Sequence, residues 1–386
     1  MERKGFRSSE LRMARVLQVT GEWPGVSLLG VELDGSPGRS EAVAYPELTG
    51  QIAPGDRVLL NTTAVSLGLG TGGYHFVVAV EGRERRDEEG PGHIMKLRYT
   101  PVQFRCHAVE EEGHPARDAL DATSDLAGMV VVAGCVHSQL PPILAGLRAA
   151  LDPPPRVAYL MTEGGALPLA FSRLAGELRE RGWLAGTITA GHAFGGDYEA
   201  VNQYTGLLAA RAALRADFVV AAMGPGGVGT GTRWGFTAIE QGEIVDRVNR
   251  LGGRPVAALR VSFADPRPRH QGVSHHCLTS LGRVAATRAV VAVPRLPPSA
   301  GEVLYRQLAA AGVSDRHEVV EEAGEPALAC LEREGMIVRT MGRAPAQDRE
   351  FFLAAGAAGA AAARLAGKGG KGTGGQSGVP GQTADR

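Results

Sequence analysis

Two loops hold most of the side chains able to do chemistry. The first is GPGGVGTGTRWGF (224–236), which follows the apolar run DFVVAAM (217–223). Gly224, Gly226, Gly227, Gly229 and Gly231 would let backbone N–H groups converge on an anion without side-chain obstruction. A helix starting after them would add the positive end of its dipole. Thr230 and Thr232 supply hydroxyls, and Arg233 a guanidinium fork that suits phosphate or carboxylate. The second loop is ADPRPRHQGVSHHC (264–277), in which His270, His275 and His276 follow Asp265. Histidine exchanges protons near neutral pH, so His275 or His276 is a candidate general acid or base, with Asp265 as an orienting carboxylate. No metal is expected there, because neighbouring side chains diverge and neither H-E-x-x-H nor H-x-H is present. The plainer reading is that these histidines open a helix capped by Ser274.

Two further loops add weight. TEGGALP (162–168) carries Glu163, and GHAFGGD (191–197) carries His192 and Asp197, which could orient an imidazole or cap the next helix. Cys135 and Cys277 fall at the same edge and read as buried structural thiols.

The G-x-G-x-x-G within the first loop is not itself diagnostic. With 54 glycines in 386 residues, about one such match arises by chance. A second copy lies at 68–73, between two strands of a different region. No acid ends the next strand at dinucleotide spacing, and no G-K-[ST] follows, so NAD and ATP binding through these motifs are not supported and no cofactor is named. No G-x-S-x-G elbow is present either.

What makes the loops persuasive is the framework that must hold them. From about residue 14 to 107, short Val/Leu-rich runs (ARVLQVT, VSLLGVEL, EAVAYPE, DRVLLNT, YHFVVAV, FRCHAVE) alternate with turn residues, which predicts a small β-barrel. The charged loop ERRDEEGPG (84–92) separates the last two. From about residue 120 the pattern becomes strand then helix: GMVVVAG, RVAYLM, GTITAG, DFVVAAM, VAALRVSF and AVVAVP each precede or follow a segment with 3.6-residue apolar spacing. Continuous apolar strands joined by helices predict a mainly parallel, doubly wound, Rossmann-like α/β sheet. HEVVEEA and MIVRTMG extend that rhythm. The Ala-rich run 348–366 predicts a helix on the outside, and the glycine-rich tail a disordered end. The expected divisions are 1–115, 120–345, 346–366 and 367–386.

The helix-to-strand connections are terse and the strand-to-helix ones are chemically loaded. In a parallel sheet the loaded set gathers outside the carboxyl ends of the strands, where ligands bind. NTTAVSLGLGTGG (61–73) could close over that edge as a lid or pair with another subunit.

The stretches PGDRVLLNTTAVSLGLGTGGYHFVV, AFGGD, GPGGVGTGTRWGF and GVSHHCLTSLGR together resemble an uncharacterised bacterial family described only as a domain of unknown function. The resemblance extends to about residue 345 and implies no activity, substrate or catalytic residue.

Lysine plus arginine and aspartate plus glutamate number 41 each. Zero net charge disfavours a general nucleic-acid binder, although an OB-like barrel and PRPRH keep that as a weak alternative. Four scattered cysteines, no secretory leader and no long apolar run predict a cytoplasmic protein with no membrane partner. A homo-oligomer stays open. The expected function is an enzyme acting on a small anionic metabolite, phosphorylated ones included, with His275, His276, Asp197 and Asp265 catalytic. Glycines 224–231, Thr230, Thr232, Arg233, His192, Glu163 and His270 would bind the ligand. The alternative is a non-catalytic ligand sensor.

Overall fold

The computed structural model describes residues 8–70, 72–84 and 90–369. Most of the charged loop 84–92, Thr71 of the 61–73 loop and tail residues 370–386 lie outside the described residues.

The first five strands close on themselves. They are β1 (Leu11–Trp23), β2 (Val26–Leu33), β3 (Arg39–Ala44), β4 (Arg57–Asn61) and β5 (Tyr74–Val80), with short helices α1 (Pro46–Thr49) and α2 (Thr63–Ser66) between them. Their order around the barrel is β1-β2-β3-β5-β4. Neighbours are antiparallel except β3 and β5. Alternate residues such as Val58 and Leu60 point inward and are fully buried, as the two-residue period of a strand requires. The sixth expected barrel strand does not join. Among the described residues, Phe104–Cys106 (β7) pairs only with Ile94–Lys96 (β6), as a separate hairpin.

After α3 (Arg117–Asp121) comes an eight-stranded sheet. In chain order its strands and helices are β8 (Val130–Ala133), α4 (Leu140–Ala150), β9 (Val157–Thr162), α5 (Arg173–Glu180), β10 (Gly186–Ala190), β11 (Tyr198–Ala200), α6 (Gln203–Ala212), β12 (Phe218–Met223), α7 (Glu240–Arg250) and β13 (Arg254–Ala258). A two-stranded excursion, β14 (Val261–Ser262) and β15 (Gly272–Val273), precedes α8 (His275–Thr279), β16 (Val290–Pro294), α9 (Pro298–Ala310), α10 (Val313–Arg316), β17 (Glu318–Glu322), α11 (Glu325–Arg333) and α12 (Arg349–Gly369). The sheet order is β11-β10-β9-β12-β8-β13-β16-β17, and every pairing is parallel.

Helices cover both faces. Leu207, Ile244, Val248, Leu281 and Leu304 fill one, and Ile143, Leu147, Leu178, Cys330 and Phe352 the other. Burial on both faces is why β8, β9, β10 and β12 lack the alternation seen in the barrel. The β9-to-β10 connection runs toward one edge of the sheet and the β12-to-β13 connection toward the other. Since β9 and β12 are neighbours, a crevice opens beyond their carboxyl ends.

Two expectations about the C-terminal third are corrected. MIVRTMG forms no strand. Met336 and Val338 are instead buried in the core on the α11/α12 face, and the sheet edge is taken by β17. The Ala-rich helix is not on the outside: Phe351, Phe352, Ala354, Ala355, Ala357 and Ala358 are at most 1% exposed. It lies across β16, β13 and β8 and packs against α4 and α11. Its alanines are what a closely crossed helix needs, and composition alone does not separate that from a surface helix.

Candidate functional site

The histidine loop is built by the β14–β15 excursion. Val261 and Ser262 pair antiparallel with Val273 and Gly272, so the residues between them fold back beside α8. Gln307 of α9 staples the return: its Oε1 accepts from Val273 N at 2.7 Å and its Nε2 donates to Gln271 O at 2.9 Å. Ser274 caps α8, its Oγ accepting from His276 N at 3.3 Å and lying 2.8 Å from His270 Nδ1. This closure gathers the three imidazoles. Ring centroids are 4.4 Å apart for His275 and His276, and 5.1 Å from His270 to each. One nitrogen of each lies within 4.8 Å of those of the others. The expectation that His275 and His276 diverge is therefore corrected. In the first turn of α8 both rings fold toward His270, which the excursion has brought alongside.

The glycine loop lies on top of them. Residues 228–237 form a narrow strap, with Thr230 N donating to Gly235 O and Thr237 N to Val228 O, both at 2.9 Å. The Phe236 ring stacks on His276 at 4.2 Å and 6°. Gly229 lies so close that a Cβ there would sit 3.3 Å from His276 Nε2. A side chain at 229 would require the ring or the strap to give by a few tenths of an ångström. Arg269 lies beside Gly231, 3.5 Å from where its Cβ would be.

Asp265 is fully buried and ringed by arginines. Arg267 holds it in two-pronged fashion (2.8 and 2.7 Å), Arg260 donates at 3.3 Å, and Arg343 approaches to 3.7 Å before pairing with buried Asp348 at 2.9 Å. The Arg267 hydrogen bonds keep its carboxyl ionised well below the usual carboxylate range. Asp265 is thus an anchor for guanidiniums rather than a proton carrier. Burial, followed by the neighbouring arginine and histidine charges, pushes His270 and His276 down to about 3 and lowers His275. All three are neutral at physiological pH, lone-pair donors with no stored proton to give. General-acid work by His275 or His276 is disfavoured by that environment.

The other expected members lie elsewhere. Asp197 is at the amino half of β10. Its Oδ2 accepts from Thr187 N at 2.9 Å and from Thr187 Oγ1 at 3.0 Å, and Arg179 pairs with it. The cause is β11: a strand running parallel to β10 must start at the amino side, so the chain doubles back through Gly195 and Gly196 first. His192 accepts from Leu97 N at 3.1 Å and contacts Arg98 at 3.2 Å, and Glu163 accepts from His192 N at 2.7 Å. Both belong to the β9–β10 side. Thr230 and Thr232 spend their hydroxyls inside the strap, on Gly235 and on each other. Gly224 and Gly227 are close-packed against Ala166 and Met223. Arg233 is exposed on the strap. Cys135 and Cys277 are both buried, the Cys277 Sγ accepting from Arg260 N at 3.2 Å.

The strap does not lead directly into a helix start open to an anion. A 3₁₀ turn intervenes, and α7 begins with Glu240, 9% exposed and bonded by the Thr162 hydroxyl. Burial raises Glu240 to about 7, against the opposing effect of that bond. Sequence reading missed it because an acid in a helix's first turn is commonplace. The folded pKa exceeds the unfolded one. Its contribution is therefore full below about 4.5 and falls as pH rises to about 7. Glu240→Gln is expected to melt higher than the parent at pH 8, by up to about 3 kcal/mol at ~1.4 kcal/mol per unit, and equally at pH 4.5. Equal melting of the two proteins at both pH values would count against a buried, strained carboxyl. Arg260 and Arg343 were missed too. A lone arginine inside the apolar run VAALRVSF is a signal for the first; nothing local marks the second.

Beyond the strap's other margin a cleft of about 1340 Å³ separates the barrel from the sheet's carboxyl edge. Asn61 and Gly70 of the 61–73 loop, Phe76, Phe171, Phe194 and Gly226 are among its lining residues. That loop borders this cleft at the barrel side.

No curated protein matches the chain. Among solved structures, a folylpolyglutamate synthase from Mycobacterium tuberculosis complexed with ADP aligns at 16% identity and a TM-score of 0.22. The match covers 54% of this chain and 45% of that one. No described helix is long and apolar enough to cross a membrane. A family model described as protein of unknown function (DUF3866) matches residues 41–359, and the chain belongs to that family.

Proposed function

We propose that this protein is an enzyme acting on a small anionic metabolite at the carboxyl edge of its sheet, beneath the 228–237 strap. The observation that supports this best is the convergence of three neutral imidazoles, the strap glycines and Arg269 at one place. Arg269 supplies positive charge for an anion, with exposed Arg233 as a second candidate on the strap. The histidines offer lone pairs to the reacting group. A thermal-shift screen of phosphorylated and carboxylated metabolites tests the reading, because a ligand of the folded state stabilises it by mass action. Trp234, 55% exposed on the strap, gives a parallel fluorescence readout. At least one anion should raise the melting temperature, and Arg269→Ala should remove that shift. His276→Ala should abolish turnover of that ligand. If no anion shifts the protein, or the shift survives combined loss of Arg269 and Arg233, the reading fails.

The cleft beside the barrel favours a second reading, a ligand sensor in which the barrel reports occupancy. It would require a ligand-dependent change in protease protection of the 61–73 loop without turnover.

A further inference from the structure

From the three gathered imidazoles we infer that His270, His275 and His276 form a binding site for one divalent transition metal, of the kind zinc represents. The strongest sign is the pair of nitrogens left without partners. His275 Nε2 and His276 Nδ1 are buried, and neither makes a hydrogen bond. A buried polar atom that finds no partner costs about 1–3 kcal/mol, and here two occur on adjacent residues of one imidazole cluster. His276 is 8% exposed and His270 2%, so water does not readily discharge that cost.

The third member completes the pattern. His270 has Nδ1 engaged with Ser274 Oγ at 2.8 Å, leaving Nε2 as its free nitrogen. A hydrogen bond on the far nitrogen is what orients a metal-bound histidine. Zinc bound to histidine nitrogen at ~2.0–2.1 Å in a tetrahedron would need donors about 3.3 Å apart. One nitrogen of each ring already lies within 4.8 Å of one nitrogen of each of the others, so small ring rotations close the site. Three protein donors leave a fourth position open. The surrounding charge indicates what would fill it: Arg260 and Arg267 are tied to Asp265, while Arg269 lies at the strap, so an oxyanion on the ion would be charge-matched. Imidazole donors select zinc, copper, cobalt or nickel rather than magnesium or calcium.

The site stands whether or not the anionic-metabolite reading does. Full-length protein stripped with a chelator would be titrated with zinc by calorimetry and with cobalt(II) by visible absorbance, without any anion added. One ion per chain and a four-coordinate cobalt spectrum are expected. His270→Ala and His276→Ala should weaken binding at least about a hundredfold, and Ser274→Ala about tenfold, through loss of the orienting bond. His93→Ala, at an exposed position far along the chain, should bind like the parent. His275→Ala guards against loss of fold. Its ring is only half-buried, so the variant should melt like the chelated parent yet fail to give the cobalt spectrum. Absence of zinc binding by the parent would overturn the site, as would binding that survives all three histidine substitutions. Zinc binding with no anion shift would remove the metabolite reading alone. An anion shift in protein that binds no zinc would do the reverse.

Discussion

Gly359→Ala should destabilise the protein by roughly 3 kcal/mol or more, although alanine is the better helix former by ~1 kcal/mol. The reason is the crossing of α4 and α12. A methyl at Gly359 would overlap the Ile143 carbonyl oxygen, and one at Gly146 would overlap that of Gly356. Backbone meets backbone, so neither side can yield by a rotamer change. The crossing lies over fully buried Ile143, Leu144, Leu147 and Phe352, and separating the helices would open that side of the core. Gly367, in the same helix, has nothing within 4 Å of its Cβ position. Gly367→Ala should therefore be neutral or gain up to ~1 kcal/mol. Urea titration of the two variants measures both. If Gly359→Ala matched or exceeded the parent, the close crossing would be wrong.

The second large effect is expected at Asp265. Removing this carboxylate leaves Arg260 and Arg267 without their shared partner and deprives Arg343 of one of two. A buried charge stripped of its counter-ion costs about 3–5 kcal/mol, and Asp265→Ala should fall in that range. Asp265→Asn should cost less, since one oxygen can still accept from Arg267. The acid limb gives a separate readout. A carboxyl whose folded pKa is depressed contributes stability above its unfolded value and loses it as pH falls through the folded one. The parent should accordingly lose this contribution progressively as the pH falls from the usual carboxylate range to well below it, and Asp265→Ala should show a flatter acid limb. Identical acid limbs would mean that the arginines do not depend on this residue.

The sheet was legible in the chain because its strands are apolar throughout and its helices keep a 3.6-residue period. β11 was not, since YEA is three residues long and owes its place to pairing with β10. The two loaded loops could be named from residue types alone, and they do meet: Gly229 lies on His276. What spacing could not supply was the path between loop ends. Asp197 sits five residues from His192 in sequence, yet the return needed to start β11 takes it to the other edge. The opposite happened at His270, five residues from His275, where a two-residue ladder brings the rings together. Thr230 and Thr232 looked free because nothing in their spacing reveals that the strap uses their hydroxyls itself.

The helix α12 has a further consequence, for the order in which the fold can be assembled. Every strand of the sheet precedes it in the chain, yet it covers β8, β13 and β16. A chain emerging from the ribosome can pair its strands and dock the other helices, but the part of one face over β8, β13 and β16 stays open until residues 349–369 arrive. Val130, Val256 and Ala292 would meanwhile be presented to solvent. Unfinished chains of this kind bind chaperones and associate with one another. Late closure by a distant segment also slows folding, because the longest loop must be closed last. A truncation before residue 349 would hold the protein at that stage, and its aggregation would report the exposed face.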